Sequence, residues 1–108
     1  MIIAIATSEN HLKANVDPHF GRCDWYCLYE TENKKYSFIE NPVRYNELQA
    51  GCDAALFLIE KGVKIVIAGR FGSKVIEVFK KNSVQMIIPQ TQQTITKIIK
   101  AFNSGSSD

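Results

Sequence analysis

Gly62-Val63-Lys64-Ile65-Val66-Ile67-Ala68-Gly69-Arg70-Phe71-Gly72-Ser73-Lys74-Val75-Ile76 decides the fold. The apolar run predicts a buried strand over 64–68, too short and too β-branched for a helix. Gly69 to Gly72 then makes a tight loop. From Ser73 to Lys81 the period changes, and Val75, Ile76 and Phe79 line the inner face of a helix. A strand that passes directly into a helix makes a crossover, and crossovers join parallel strands with a right-handed sense.

Working outward, Gln85 to Ile88 is the next strand, ended by Pro89, and Gln92 to Phe102 a last helix with Ile95, Ile98, Ile99 and Phe102 inward. Upstream, Glu47 to Lys61 reads as a helix. Its apolar stripe is Leu48, Cys52, Ala55, Leu56 and Ile59, with Asn46 as its cap and Gly62 at the position after its end. Asp24 to Glu30 and Tyr36 to Glu40 are strands of a hairpin, joined through Thr31 to Lys35. Ile2 to Ala6 has no polar alternation, so it is a strand covered on both faces. The order β, β-hairpin, α, β, α, β, α predicts a single mixed sheet with helices on its faces. One domain spans 1–102, and the Ser/Gly-rich tail 103–108 is expected to fray.

A chain of 108 residues with 45% hydrophobic and 22% charged residues has the composition of a soluble globular domain and excludes disorder, collagen and coiled coil. Its longest apolar runs, such as Met86-Ile87-Ile88, fall far short of the ~20 residues of a membrane span. The opening Met-Ile-Ile-Ala-Ile-Ala lacks a basic segment and reads as a strand rather than a leader. Three cysteines cannot all pair, which points to a reducing, cytoplasmic setting. The net charge of +2 is unevenly spread: residues 1–54 hold five Lys/Arg against eight Asp/Glu, and residues 55–108 eight against three. The basic residues of the second half are scattered, which suits solvated helix faces and a small anion better than nucleic acid.

Sequence fingerprints of catalysis are missing. There is no phosphate-binding G-x-x-x-x-G-K-[ST] loop, no C-x-x-C, no H-E-x-x-H and no G-x-S-x-G elbow. Nor does the first strand carry the acids that a magnesium nuclease on a mixed sheet needs. Two loops remain. Asp17-Pro18-His19-Phe20-Gly21-Arg22-Cys23 gathers an imidazole, a guanidinium and a thiol, the nitrogen and sulfur donors that metal–sulfur centres accept, with Arg22 to answer a cluster's negative charge. The same residues also suit a plain turn with His19 on the surface. Gly69-Arg70-Phe71-Gly72-Ser73-Lys74 sits at a helix start, where free N–H groups with Arg70 and Lys74 make an anion cradle, or simply a turn. Cys27 and Cys52 read as small buried hydrophobes. On one extended strand, Cys23 and Cys27 would stand about 13 Å apart, too far to share a metal atom.

The chain resembles the dinitrogenase iron–molybdenum cofactor binding family, which includes NifX, the C-terminal part of NifB and the core of NafY. The opening strand, Asp17-Pro18-His19-Phe20-Gly21-Arg22-Cys23 before an aromatic strand, and Gly62-Val63 leading to Gly69-Arg70-Phe71-Gly72 carry the likeness over residues 1–102. The resemblance implies an RNase H-like, three-layer α/β/α fold of the nitrogenase accessory factor type, with a five-stranded mixed sheet. It further implies a non-catalytic carrier of iron–molybdenum cofactor or a related iron- or molybdenum–sulfur cluster. On this likeness the cluster would meet His19, Phe20, Gly21, Arg22, Gly69, Arg70, Gly72 and Lys74. His19 would be a metal ligand, with Cys23 adding a thiolate. The implied partners are proteins that make or accept the cluster, with the chain a monomer or weak homodimer and neither nucleic acid nor membrane involved. The chain departs from the family in Val75 and in Asn82-Ser83-Val84, where members often have an alanine and a Gly-Ile pair. A metal-free module that binds a protein or small anion on the same fold is the alternative.

Overall fold

The computed structural model describes residues 1–105. In chain order these form β1 (Ile2–Thr7), β2 (Trp25–Glu30), β3 (Lys35–Glu40), α1 (Ala50–Glu60), β4 (Val63–Ile67), α2 (Ser73–Lys81), β5 (Gln85–Ile87) and α3 (Ile95–Gly105). The five strands make one mixed sheet in the order β3-β2-β1-β4-β5. The β1–β2 and β2–β3 pairs are antiparallel, whereas β1–β4 and β4–β5 are parallel. The expected three-layer α/β/α architecture is the one observed.

β1 shows why a strand buried on both faces lacks polar alternation: it alternates in size instead. Ile3 and Ile5 point to one face, where they pack with Ile65, Ile67, Cys27, Tyr29, Ile95 and Ile98 under α3. Ala4 and Ala6 point to the other, which with Val66, Ala68 and Tyr26 meets Ala54, Ala55 and Leu58 of α1 and Val75 and Phe79 of α2. Small side chains on the second face let two helices approach the sheet closely. Burying Ile3 and Ile5 completely contributes about 1.5–3 kcal/mol each.

Several expectations shift. The helix α1 begins at Ala50 rather than Glu47, and its N-cap is Gln49 without a side-chain hydrogen bond, not Asn46. The Asn46 amide instead donates to Asp53 Oδ2 at 2.9 Å. α1 is also rotated from the expected stripe: of its five residues only Ala55 is buried, and the inner face is Ala50, Ala54, Ala55 and Leu58. α3 starts at Ile95 because the residues before it are engaged elsewhere: Val16 N–H donates to the Gln93 carbonyl at 2.9 Å, and Asn15 bridges Thr94. The helix continues past Phe102 to Gly105, and the rest of the expected tail, 106–108, lies outside the described residues. Gly62 stands where it was expected, with φ +82 after the last turn of α1 and its N–H on the Ile59 carbonyl.

Candidate functional site

At the carboxyl ends of β1 and β4 the long loop after β1 returns into the sheet. Val16 bridges Thr7, Asp17 N–H donates to the Ala6 carbonyl at 2.7 Å, and Gly69 N–H donates to the Asp17 carbonyl at 3.0 Å. One step further, His19 pairs with Arg70 in a parallel bridge. The two loops singled out in the sequence are thus sewn together beyond the strand ends, the usual ligand position in an open α/β sheet. Glycine makes the contact possible: a Cβ on Gly69 would lie 2.5 Å from Pro18 Cα, and one on Gly21 would lie 2.5 Å from Gly51 Cα at the start of α1.

The result is a cleft of about 300 Å³ lined by His19, Phe20, Gly21, Arg22, Gly51, Arg70, Phe71, Gly72 and Val75. A second cleft of about 480 Å³ shares Gly51, Gly72 and Val75 with it and adds Leu48, Gln49, Cys52, Ser73 and Lys74. Both open between the N-termini of α1 and α2, and neither helix has a side-chain cap there. The first N–H groups of a helix have no partner within it and carry the positive end of its dipole, so this face is prepared for an anion.

His19 is held by its neighbour in sequence. Its backbone N–H donates to Asp17 Oδ1 at 2.7 Å, and its ring Nδ1 lies 3.4 Å from the same oxygen. A carboxylate against Nδ1 orients the imidazole and leaves Nε2 as the nitrogen for a ligand. The ring is 54% exposed. Beneath it, Phe20 is buried against Tyr26, Phe71 and Phe79, with ring centroids 5.3–5.7 Å apart. An aromatic floor therefore fixes the height of the loop.

The expected residues divide. His19, Phe20, Gly21, Arg22, Arg70 and Gly72 line the first cleft, Lys74 the second, and Gly69 supports from behind. Arg22 also braces the chain before α1, donating to the Arg44 carbonyl at 3.3 Å and the Glu47 carbonyl at 2.9 Å. Cys23 is not brought to the site. Its side chain is buried in the core beneath the loop, its thiol donates to the Phe20 carbonyl, and burial pushes it up to about 12. The expected thiol ligand thus sits beneath the loop and lines neither cleft. Tyr26 directs its hydroxyl to the same carbonyl.

Two residues were not expected at the site. Asn41, fully buried, donates from Nδ2 to the Gly21 carbonyl at 2.9 Å and the Cys23 carbonyl at 3.0 Å, pinning the loop from β3's end. Cys52, read as a core residue, is half-buried and lines the second cleft. Asn41 had a faint signal as an Asn-Pro pair at a strand end, whereas Cys52 had none, because its apolar stripe suited a core face equally well.

Among the described residues, no three His, Cys, Asp or Glu side chains come together to hold a metal ion. No helix among them is long and apolar enough to cross a membrane.

The model of the family described as "Dinitrogenase iron-molybdenum cofactor" matches residues 1–105. An uncharacterized protein of Methanocaldococcus jannaschii is 32% identical, covering 97% of this chain and 87% of its own length. Among solved structures, the apo form of the orange protein from Desulfovibrio gigas superposes with a TM-score of 0.87 at 21% identity, over 96% of this chain and 88% of that one. A Thermotoga protein provisionally assigned as NifB superposes with a TM-score of 0.80 at 26% identity, over 96% of this chain and 88% of its own. The family likeness first seen in the His19 and Gly69 loops thus extends along the described chain, and the protein belongs to the dinitrogenase iron–molybdenum cofactor family.

Proposed function

We propose that the cleft receives an anionic metal–sulfur cluster, iron–molybdenum cofactor or a related iron- or molybdenum–sulfur species, and that the protein carries this cargo without transforming it. The observation that carries the reading is the meeting of one oriented imidazole with two uncapped helix N-termini and Arg70 on a single opening. The donor set suits a preformed cluster better than a bare ion. A bare ion needs three or more protein ligands, whereas the metals of a cluster arrive ligated by sulfide and need one donor with compensation of charge.

In this reading His19 Nε2 supplies the bond to metal. Arg70, the N–H groups at the starts of α1 and α2, and Lys74 at the margin answer the negative charge. Cys23 takes no part. The binding partners in this role are the proteins that build the cluster and those that receive it.

Anaerobic expression with iron, sulfide and molybdate, followed by a visible spectrum and metal analysis, tests the proposal. Bound iron or molybdenum in the wild type, lost in His19→Ala at unchanged melting temperature, is the expected result. Protein that stays colourless and metal-free even after exposure to preformed cofactor contradicts it and favours a metal-free interaction or anion-binding module.

A further inference from the structure

Part of the apolar stripe expected to face the core on α1 faces outward instead, while Ala55 and Ile59 pack inward. Leu48, just before the helix, is 94% exposed and Leu56 is 50% exposed, with Cys52 between them at the same four-residue spacing. Apolar rows of this kind on a small domain mark contact surfaces.

Charges flank the row asymmetrically. On one side, Asp53 and Glu60 stand seven residues apart on α1. On the other, across the groove, Lys74 and Lys81 stand seven apart on α2. Their heights match. Gly51 lies against Val75, where an added Cβ would come 2.8 Å from Val75 Cγ2, and Cys52 shares a cleft with Ser73 and Lys74. The helices also end alike, with Lys61 and Gly62 (φ +82) after α1 and Asn82 and Ser83 (φ +57) after α2, ahead of strands paired Ile65 to Gln85. Glu60 therefore stands near the level of Lys81 and Asp53 near that of Lys74, about 10 Å back at 1.5 Å per helical residue, with Glu77 of α2 between the two lysines. The two helices run in the same direction, each preceding one of the parallel strands β4 and β5. Among the described residues, Glu60, Lys74 and Lys81 take part in no ion pair.

We propose that this surface joins two copies of the chain about a two-fold axis that runs along the helices. Such an axis keeps the level of every residue and exchanges left with right, so each acidic row meets the partner's basic row and the apolar rows pack between them. An axis across the helices would set acid against acid and base against base. The two clefts then open at the same end of the dimer. Resting on the carrier reading, this brings a second imidazole towards a cargo for which each chain offers one.

Sedimentation velocity of the metal-free protein over a wide concentration range tests the contact. Wild type is expected to self-associate reversibly. Glu60→Lys and Lys81→Glu, both at exposed positions, each place like charges together twice and should weaken the dimer about tenfold. An equimolar mixture of these two variants should recover a mixed dimer as strong as wild type. Leu56→Glu should weaken association as well, and addresses the same contact if circular dichroism shows that a charge reversal has unfolded the chain. A wild type that stays monomeric up to about 1 mM, variants that associate as wild type does, or a mixture no stronger than its components overturns the proposal. Because no metal is present, failure here is separate from failure of the carrier reading.

Discussion

His19 and Arg70 are joined by a single parallel backbone bridge beyond the ends of β1 and β4. The one imidazole of the cleft and a guanidinium of its lining are thereby carried on backbones held together by the sheet rather than on long side chains meeting in solvent. In the proposed role, that arrangement would set the metal-binding imidazole beside positive charge before any cargo arrives, which lowers the ordering cost of binding.

The glycines of the second loop should separate stability from binding. In Gly69→Ala the new methyl would press on the Pro18 backbone at 2.5 Å, and a loss of about 1–3 kcal/mol is expected. At Gly72, φ is −70 and no atom lies within 4 Å of an added Cβ, so Gly72→Ala should cost about 1 kcal/mol at most. The same methyl stands in the cleft, and cluster affinity should fall. Thermal melts beside metal retention check both halves.

Asn41→Ala removes the amide that holds the Gly21 and Cys23 carbonyls and leaves both without that donor. A loss of about 2–3 kcal/mol is expected from these buried groups. Denaturant titration measures it, and a change below about 0.5 kcal/mol would show that the loop is held by other means.

After α2 the chain turns through Ser83 at φ +57, a left-handed conformation that glycine adopts without penalty. Ser83→Gly is therefore expected to raise stability by about 0.5–1 kcal/mol, read as a higher melting temperature, with no change in cluster binding.

Burial pushes the Cys23 and Cys27 thiols up from 9.0 to about 12. Below the unfolded value both states keep the proton and the full stability is present. As pH rises through that value the unfolded chain loses its protons while the native one retains them, so stability falls across the interval from 9.0 to about 12. The slope approaches about 1.4 kcal/mol per pH unit for each thiol. Tyr26, raised first by burial and then by the neighbouring Cys23, acts in the same direction. Melting temperature should drop steeply above about pH 9, and Cys27→Ala should show a shallower drop from a lower start. Alkylation of the native protein should modify Cys52 alone, since Cys23 and Cys27 are buried.

Much of this was legible in the residues, and the exceptions have causes. β1, β4 and the β2–β3 hairpin could be read because apolar runs and a polar interruption report directly on burial and turning. α2 was placed at its observed ends because Gly72 and the Val75–Phe79 spacing agree. The inner face of α1 was missed because periodicity weights large side chains, while the close approach to Ala4 and Ala6 selects Ala50, Ala54 and Ala55. In the site, the His19 and Gly69 loops were visible as local motifs. Whether Cys23 points outward or inward depends on Tyr26 and Phe20 packing around it, which spacing along the chain does not record.

The central claim is that His19, and not Cys23, bonds the cargo. Wild type, His19→Ala and Cys23→Ala should be mixed anaerobically with isolated iron–molybdenum cofactor, separated from free cofactor by gel filtration, and analysed for molybdenum and iron. The account predicts near-equal retention by wild type and Cys23→Ala, and at least a tenfold loss in His19→Ala with its fold intact. Undiminished retention in His19→Ala, or loss confined to Cys23→Ala, would contradict it.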